Sequence, residues 1–172
     1  MRLLGFCFLS LTLMACGASS SEITSQTTGD DELFPMMPDP DKTPGEVCST
    51  PDRFRYPEQI PYCNRNVSTS TKREIIAEYD RELGFQVGDL ARSKFKIDHY
   101  ISLCMGGSNS KANLWPQHRS VYEITDNIEH KLCRLLAAGD VTQAYAIETL
   151  KFAKHNLDEA PGIEDQLDDM LD

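Results

Sequence analysis

Close cysteine pairs, an excess of basic residues and a long apolar run are all missing from this 172-residue sequence. Without the close paired spacing of structural zinc sites, the cysteines read as disulfide partners before metal ligands. With 17 Lys and Arg against 27 Asp and Glu, a formal charge of −10, the chain as a whole is poorly suited to phosphate contacts. The one apolar run, Leu3 to Met14, is too short for a permanent membrane-spanning helix. The length fits a single modest domain with extensions.

Arg2 ahead of the apolar run makes residues 1–15 an export signal. Its end, Leu13-Met14-Ala15-Cys16-Gly17, resembles the lipobox of bacterial lipoproteins. That resemblance implies a lipid on Cys16, hence a membrane partner and a place in the cell envelope. Because Gly17 is not the aspartate of inner-membrane retention, it favours the outer membrane over the inner. Export puts Cys48, Cys63, Cys104 and Cys133 in an oxidising compartment, where an even count favours disulfides. Four cysteines allow three pairings and sequence alone does not choose. The preferred set is Cys48 with Cys63, closing a short local loop, and Cys104 with Cys133, tying a hairpin to a helix.

The negative charge lies in two arms. Between Glu22 and Glu46 there are seven acidic residues against Lys42, and between Asn156 and Asp172 seven against none. The centre is close to balanced, with 15 basic and 13 acidic side chains. Residues 16–47, rich in Ser, Thr, Asp and Pro, read as a flexible acidic tether, since such a segment buries too little to offset its ordering entropy. Its apolar cluster Leu33-Phe34-Pro35-Met36-Met37-Pro38 reads as a linker patch before a docking motif. Residues 48–156 form the folded domain and 157–172 a solvated acidic tail.

Within the domain, Pro51, Pro57 and Pro61 predict an irregular wrap. Thr71-Lys72-Arg73-Glu74 has the capping-box pattern, opening a helix with Ile75, Ile76, Tyr79 and Leu83 on its apolar stripe and Gly84 at its end. Lys94 to Leu103 alternates as a strand, Gly106-Gly107-Ser108-Asn109 supplies a loop, and a second strand begins near Asn113. Val121, Ile124, Ile128, Leu132, Leu135 and Leu136 then fall at helical spacing, with Gly139 as the C-terminal cap. A last helix spans about 141–154, capped by Asp140 with Gln143 and packing Tyr145, Leu150, Phe152 and Ala153 inward.

Strand, glycine loop, strand and helix, carrying Asp98-His99 and then Asn113-Leu114-Trp115-Pro116-Gln117, resemble the ββα-metal unit of HNH nucleases. The string DHYISLCMGGSNSKANLWPQ is similar to the DH…GGS…NLWPQ version of that family. The expected fold class is α+β, a hairpin-helix unit flanked by further helices behind a disordered tether. The resemblance implies metal-dependent hydrolysis of nucleic acid, DNA before RNA, with low sequence specificity. It makes His99 the general base, whose imidazole suits proton abstraction at neutral pH, and Asn113 the residue that orients its ring. Asp98 becomes a ligand to one divalent ion, Mg²⁺ or Mn²⁺, with Zn²⁺ also open. Adjacent strand residues face opposite ways, so the resemblance further implies a local twist or bulge.

The helix-borne ligand matches more loosely. One family position falls on Tyr122, a poor ligand; another pattern, Lys-Asp followed three residues later by Glu, corresponds to Thr125, Asp126 and Glu129. Asp126 is the first choice, with Glu123 and Asn127 near the same place. Arg92, Lys94, Lys96, Lys111 and Arg119 flank the hairpin as candidates for phosphate contact. Trp115 reads as core, and His118, His130 and His155 as surface or packing residues. The chain is expected to be a monomer, and the alternative is a non-catalytic envelope lipoprotein that keeps this scaffold as a binding or structural module. A smaller idea has the acidic arms masking a basic cleft.

Overall fold

Ser68 ends an extended approach and starts a helix: its Oγ accepts the amide of Thr71 at 3.0 Å, and Gly84, in the left-handed region at φ 81°, closes α1, Thr69–Leu83. The helix thus begins earlier than the capping box at Thr71 predicts. In the run Ser68-Thr69-Ser70-Thr71 every side chain carries a hydroxyl, and the first one with extended backbone takes the cap. The computed structural model describes residues 33–172. The export signal, Cys16 and the first part of the expected tether lie outside the described residues.

The architecture is mixed α+β, with four helices and two small antiparallel sheets among the described residues. β1 (Arg53–Arg55) pairs with β2 (Ile60–Tyr62) in a hairpin before α1. β3 (Phe95–His99) pairs with β4 (Leu114–His118), joined by a loop that holds two 3-10 turns. The strand is shorter than the alternation to Leu103 predicts, because the backbone turns away after His99. β4 runs directly into α2 (Arg119–Ala138), which Gly139 caps as expected. α3 (Gln143–His155) follows, and α4 (Ala160–Asp169) packs back on α2. No helix among the described residues is long and apolar enough to cross a membrane.

Two apolar clusters flank the β3–β4 hairpin, and α2 contributes to both. One joins Ile128, Leu132 and Leu136 of α2 to Ala146, Leu150 and Ala153 of α3 and to Leu167 of α4. The other joins Ile75 and Tyr79 of α1 to Ile97, Trp115 and Val121. Trp115 is fully buried, in keeping with its reading as core. On α3 the expected inward set is wrong in two places: Tyr145 and Phe152 are 42% and 51% exposed. Leu150 and Ala153 are buried as expected, Ala146 joins them in the cluster shared with α2, and Tyr145 and Phe152 lie one position off that stripe. The cap is Thr142, whose Oγ1 accepts the amide of Tyr145 at 3.2 Å, and not Asp140.

Both acidic arms are more ordered than composition suggests. From Leu33 the chain is a strap. Phe34 is buried and stacks on His118 at 3.5 Å between ring centroids. Thr43 bridges Tyr79 Oη at 2.9 Å and the Leu114 carbonyl at 3.0 Å. At the other end, Ala160 and Leu167 bury themselves on α2, while Lys131 holds Glu164 at 2.9 Å and Asp168 at 2.7 Å. Residues 157–172 are therefore no solvated tail: an apolar stripe runs beneath the charges.

The disulfides are Cys48–Cys63 and Cys104–Cys133, each with Cα atoms 5.8 Å apart, which is the preferred pairing. They place the chain in an oxidising, non-cytoplasmic compartment. Cross-links of this kind typically stabilise by about 2–4 kcal/mol each. The second ties the loop after β3 to α2, fixing two of the elements around the acidic cluster described next.

Candidate functional site

β3 and β4 keep an unbroken register from Phe95 opposite His118 to His99 opposite Leu114. No bulge interrupts it, so of the twist or bulge that the resemblance implied the bulge is absent, and Asp98 and His99 meet different neighbours. Both are buried, at 8% and 3% exposure.

His99 Nε2 lies 3.2 Å from Asn109 Oδ1. The Asn109 amide is oriented by its own contacts: Nδ2 donates to the Asn64 carbonyl at 2.8 Å, and Oδ1 also accepts the Asn66 amide at 3.1 Å. An oxygen facing the ring requires a proton on Nε2, which leaves Nδ1 as the ring's basic nitrogen. Burial pulls the His99 pKa below its usual value; the Asn109 hydrogen bond and the Asp98 charge oppose that shift. The imidazole is therefore held neutral and in one tautomer.

The asparagine expected to hold the ring, Asn113, does something else. Fully buried, it accepts the Ile101 amide at 2.8 Å and donates to the carbonyls of Ile101 and Ser108, each at 2.9 Å. It fixes the loop that carries Asn109. Gly107 is packed so tightly there that a Cβ would stand 1.9 Å from the Ile101 carbonyl oxygen. The GGSN stretch is thus a rigid platform that delivers Asn109 to His99.

Asp98 points to α2. One carboxylate oxygen each from Asp98, Asp126 and Glu129 lie within 4.8 Å of one another. Asp126 and Glu129 are three residues apart on one face of α2, and Asp98 comes across from β3. Ser102 donates to Glu129 Oε1 at 2.8 Å. Lys96 Nζ stands 2.8 Å from both Asp126 oxygens and 4.7 Å from the centre of the Tyr122 ring. Lys154 of α3, 1% exposed, donates to the His99 carbonyl at 2.7 Å, with Asp98 Oδ2 3.7 Å and Glu129 Oε2 4.0 Å away. Burial pushes the Glu129 carboxyl up, with the Lys154 charge opposing it.

These residues fit a hard divalent cation. Asp98 Oδ2 is buried with no hydrogen-bond partner, the ammoniums of Lys96 and Lys154 each standing 3.7 Å away, which leaves its lone pairs unsatisfied. Three oxygens within that spacing lie on a circle of radius up to about 2.8 Å, close to the roughly 2.0–2.6 Å bonds of Mg²⁺ to Ca²⁺.

The other expected residues fall outside this centre. Glu123 is on the surface, bonded to Arg119 at 2.6 Å, and does not join the carboxylate group of Asp98, Asp126 and Glu129. Asn127 turns to Glu164 at 3.1 Å. Thr125 is buried and receives Gln117 at 3.1 Å. Of the phosphate candidates, Lys111 pairs with Glu78 and Glu74, Arg119 with Glu123, and Arg92 lies over Phe95 at 5.5 Å. Lys94 is exposed, and of these five candidates only Lys96 reaches the acidic cluster. Among the other histidines, His130 is exposed and His155 packs against Tyr100.

Sequence reasoning missed Asn109 and Lys154 and left Glu129 unchosen. Lys154 had a signal: it continues the buried stripe Ala146, Leu150 on α3, where a lysine needs buried partners. No family model, curated protein or solved structure matches the chain.

Proposed function

We propose that the chain is a metal-dependent phosphodiesterase of the HNH type, acting on nucleic acid with little sequence selectivity, DNA before RNA, in the cell envelope. The observation that carries this reading is the group of carboxylates of Asp98, Asp126 and Glu129, with Asp98 Oδ2 buried and without a hydrogen-bond partner, next in sequence to a neutral, tautomer-fixed His99. Lipid anchoring through Cys16, on the outer membrane before the inner, belongs to the same reading and rests on the lipobox-like Leu13 to Gly17.

His99 Nδ1 takes the proton of the attacking water. Asn109 keeps the opposite nitrogen protonated, so the accepting lone pair is always on Nδ1. Lys154 pins the end of β3 through the His99 carbonyl, and Ser102 fixes the rotamer of Glu129. Asp98, Asp126 and Glu129 would hold the cation, which supplies charge stabilisation at the scissile phosphate and leaving oxygen. Lys96, half-buried on Tyr122 and paired with Asp126, would be free to contact phosphate if a cation took its place on that carboxylate.

One observation favours the alternative of a non-catalytic scaffold: in this structure Lys96 and Lys154 already stand against the carboxylates. The two readings separate in one assay. The purified protein, titrated with Mg²⁺, Mn²⁺, Ca²⁺ and Zn²⁺, is offered plasmid, single-stranded DNA and RNA. Cleavage that requires a cation and is lost in Asp98→Asn supports hydrolysis; no cleavage and no cation binding up to millimolar concentration supports the scaffold.

A further inference from the structure

An acidic chain that binds nucleic acid needs cations left free by its own acids. Lys42, Lys96, Lys111, Arg119 and Lys131 all lie within ion-pair distance of carboxylates. Arg53, Arg55 and Arg65 are in no ion pair among the described residues, and they share one stretch of chain. Its two acids face away from them onto backbone amides: Asp52 accepts Asn64 N–H at 2.7 Å, and Glu58 accepts Gln143 N–H at 2.6 Å.

Two residues apart on β1, Arg53 and Arg55 project to the same face, and both lie on the ring of Tyr62 from β2, at 4.8 and 3.4 Å from its centroid. Stacking orders the guanidinium planes and leaves their N–H edges for an anion. The Cys48–Cys63 disulfide pins the strand that leaves this hairpin. Immediately beyond it, Asn64 and Asn66 grip Asn109, the residue that holds His99. Between them, Arg65 is exposed, and its Nη2 donates to the Ile97 carbonyl on β3 at 3.2 Å. Arg53 and Arg55 thus share one face of the hairpin, and Arg65, at the end of the same stretch of chain, meets the strand carrying Asp98 and His99.

We propose that Arg53, Arg55 and Arg65 form a phosphate track along which a nucleic-acid strand is led to His99. The inference rests on the phosphodiesterase reading. It names the hairpin before α1, and not the bases around β3 and β4, as the surface that recognises the backbone.

The test is binding of a fluorescent 20-nucleotide DNA to the full protein, read by anisotropy in chelator so that nothing is cleaved. Arg53→Gln/Arg55→Gln should weaken binding at least about 10-fold at low salt and flatten the log Kd against log salt slope by about 1.4, two phosphate contacts on a single strand. Arg81→Gln/Arg134→Gln removes the same charge outside the hairpin and should change affinity less than about 2-fold. Melting temperature reports folding, and if the double variant melts early, Arg53→Gln alone should still weaken binding about 3-fold. Equal losses in both double variants would overturn the track, since charge alone would then explain binding. So would a variant that loses affinity for anionic phospholipid vesicles while binding DNA normally. If the unaltered protein cleaves plasmid but the hairpin variant binds as it does, only this inference fails; if it neither binds nor cleaves, the phosphodiesterase reading fails with it.

Discussion

Asn109 and Asn113 carry the same side chain four residues apart, yet they should fail in different ways. Asn109 touches the ring of His99, so Asn109→Ala should lower kcat about 10- to 100-fold with cation affinity and melting temperature little changed. Asn113 satisfies three buried backbone groups, so Asn113→Ala should cost about 2–4 kcal/mol in urea unfolding. Exchanged outcomes would reverse the roles assigned to them. Lys154 offers a third contrast. Lys154→Met leaves the His99 carbonyl and two carboxylates without their buried ammonium, a loss of about 3–5 kcal/mol in chelator. Added Mn²⁺ should restore part of that stability and raise the melting temperature more in the variant than in the unaltered protein; an equal rise in both would contradict the shared cluster. The Asp98-His99 pair was legible in the sequence because the motif is compact. Asn109 was not, because a residue that orients a ring in three dimensions has no fixed spacing from it.

At the scale of elements, the β3–β4 hairpin, α1, α2 and the glycine ends of both helices were readable from alternation, 3.6-residue spacing and left-handed caps. What escaped were choices among near-equivalent side chains: four successive hydroxyls at the start of α1, and alanines against aromatics on α3. α4 escaped for another reason. Its acids hid the stripe of Ala160, Ile163 and Leu167, so that composition outweighed periodicity. That correction changes what the tail should do. Truncation after Asn156 exposes the α2 surface that Leu167 covers and unpairs Lys131 from Glu164 and Asp168. It should lower stability by at least about 2 kcal/mol, the worth of one buried leucine, rather than simply unmask a cleft. A truncated protein with an unchanged melting temperature and faster cleavage would restore the masking idea.

For the whole molecule, the charge of −10 conceals a division of labour among cations. Several are neutralised in place, Lys96 and Lys154 stand against the acidic cluster, and the arginines of the first hairpin are in no ion pair among the described residues. Titration gives a further global signature. His155 accepts the Tyr100 hydroxyl at 2.8 Å, and burial pushes that phenol up to about 12, so it stays a donor. Burial, with help from the Lys151 charge, holds His155 below its ordinary 6.5. The folded protein therefore binds that proton less readily than the unfolded chain. His155 contributes fully above pH 6.5, and its contribution is lost as pH falls below that value. His155→Gln should gain on the unaltered protein in melting temperature between pH 7.5 and 5.5, whatever its offset at pH 7.5; a constant offset would contradict the assignment.

Cleavage of supercoiled plasmid by the purified protein and by His99→Ala, each with Mn²⁺ or Mg²⁺ and again with chelator, tests the central claim most directly. The expected result is nicking that requires the cation and falls at least about 100-fold in the variant, the scale of a general base. Undiminished cleavage by His99→Ala, or cleavage that persists in chelator, would contradict it.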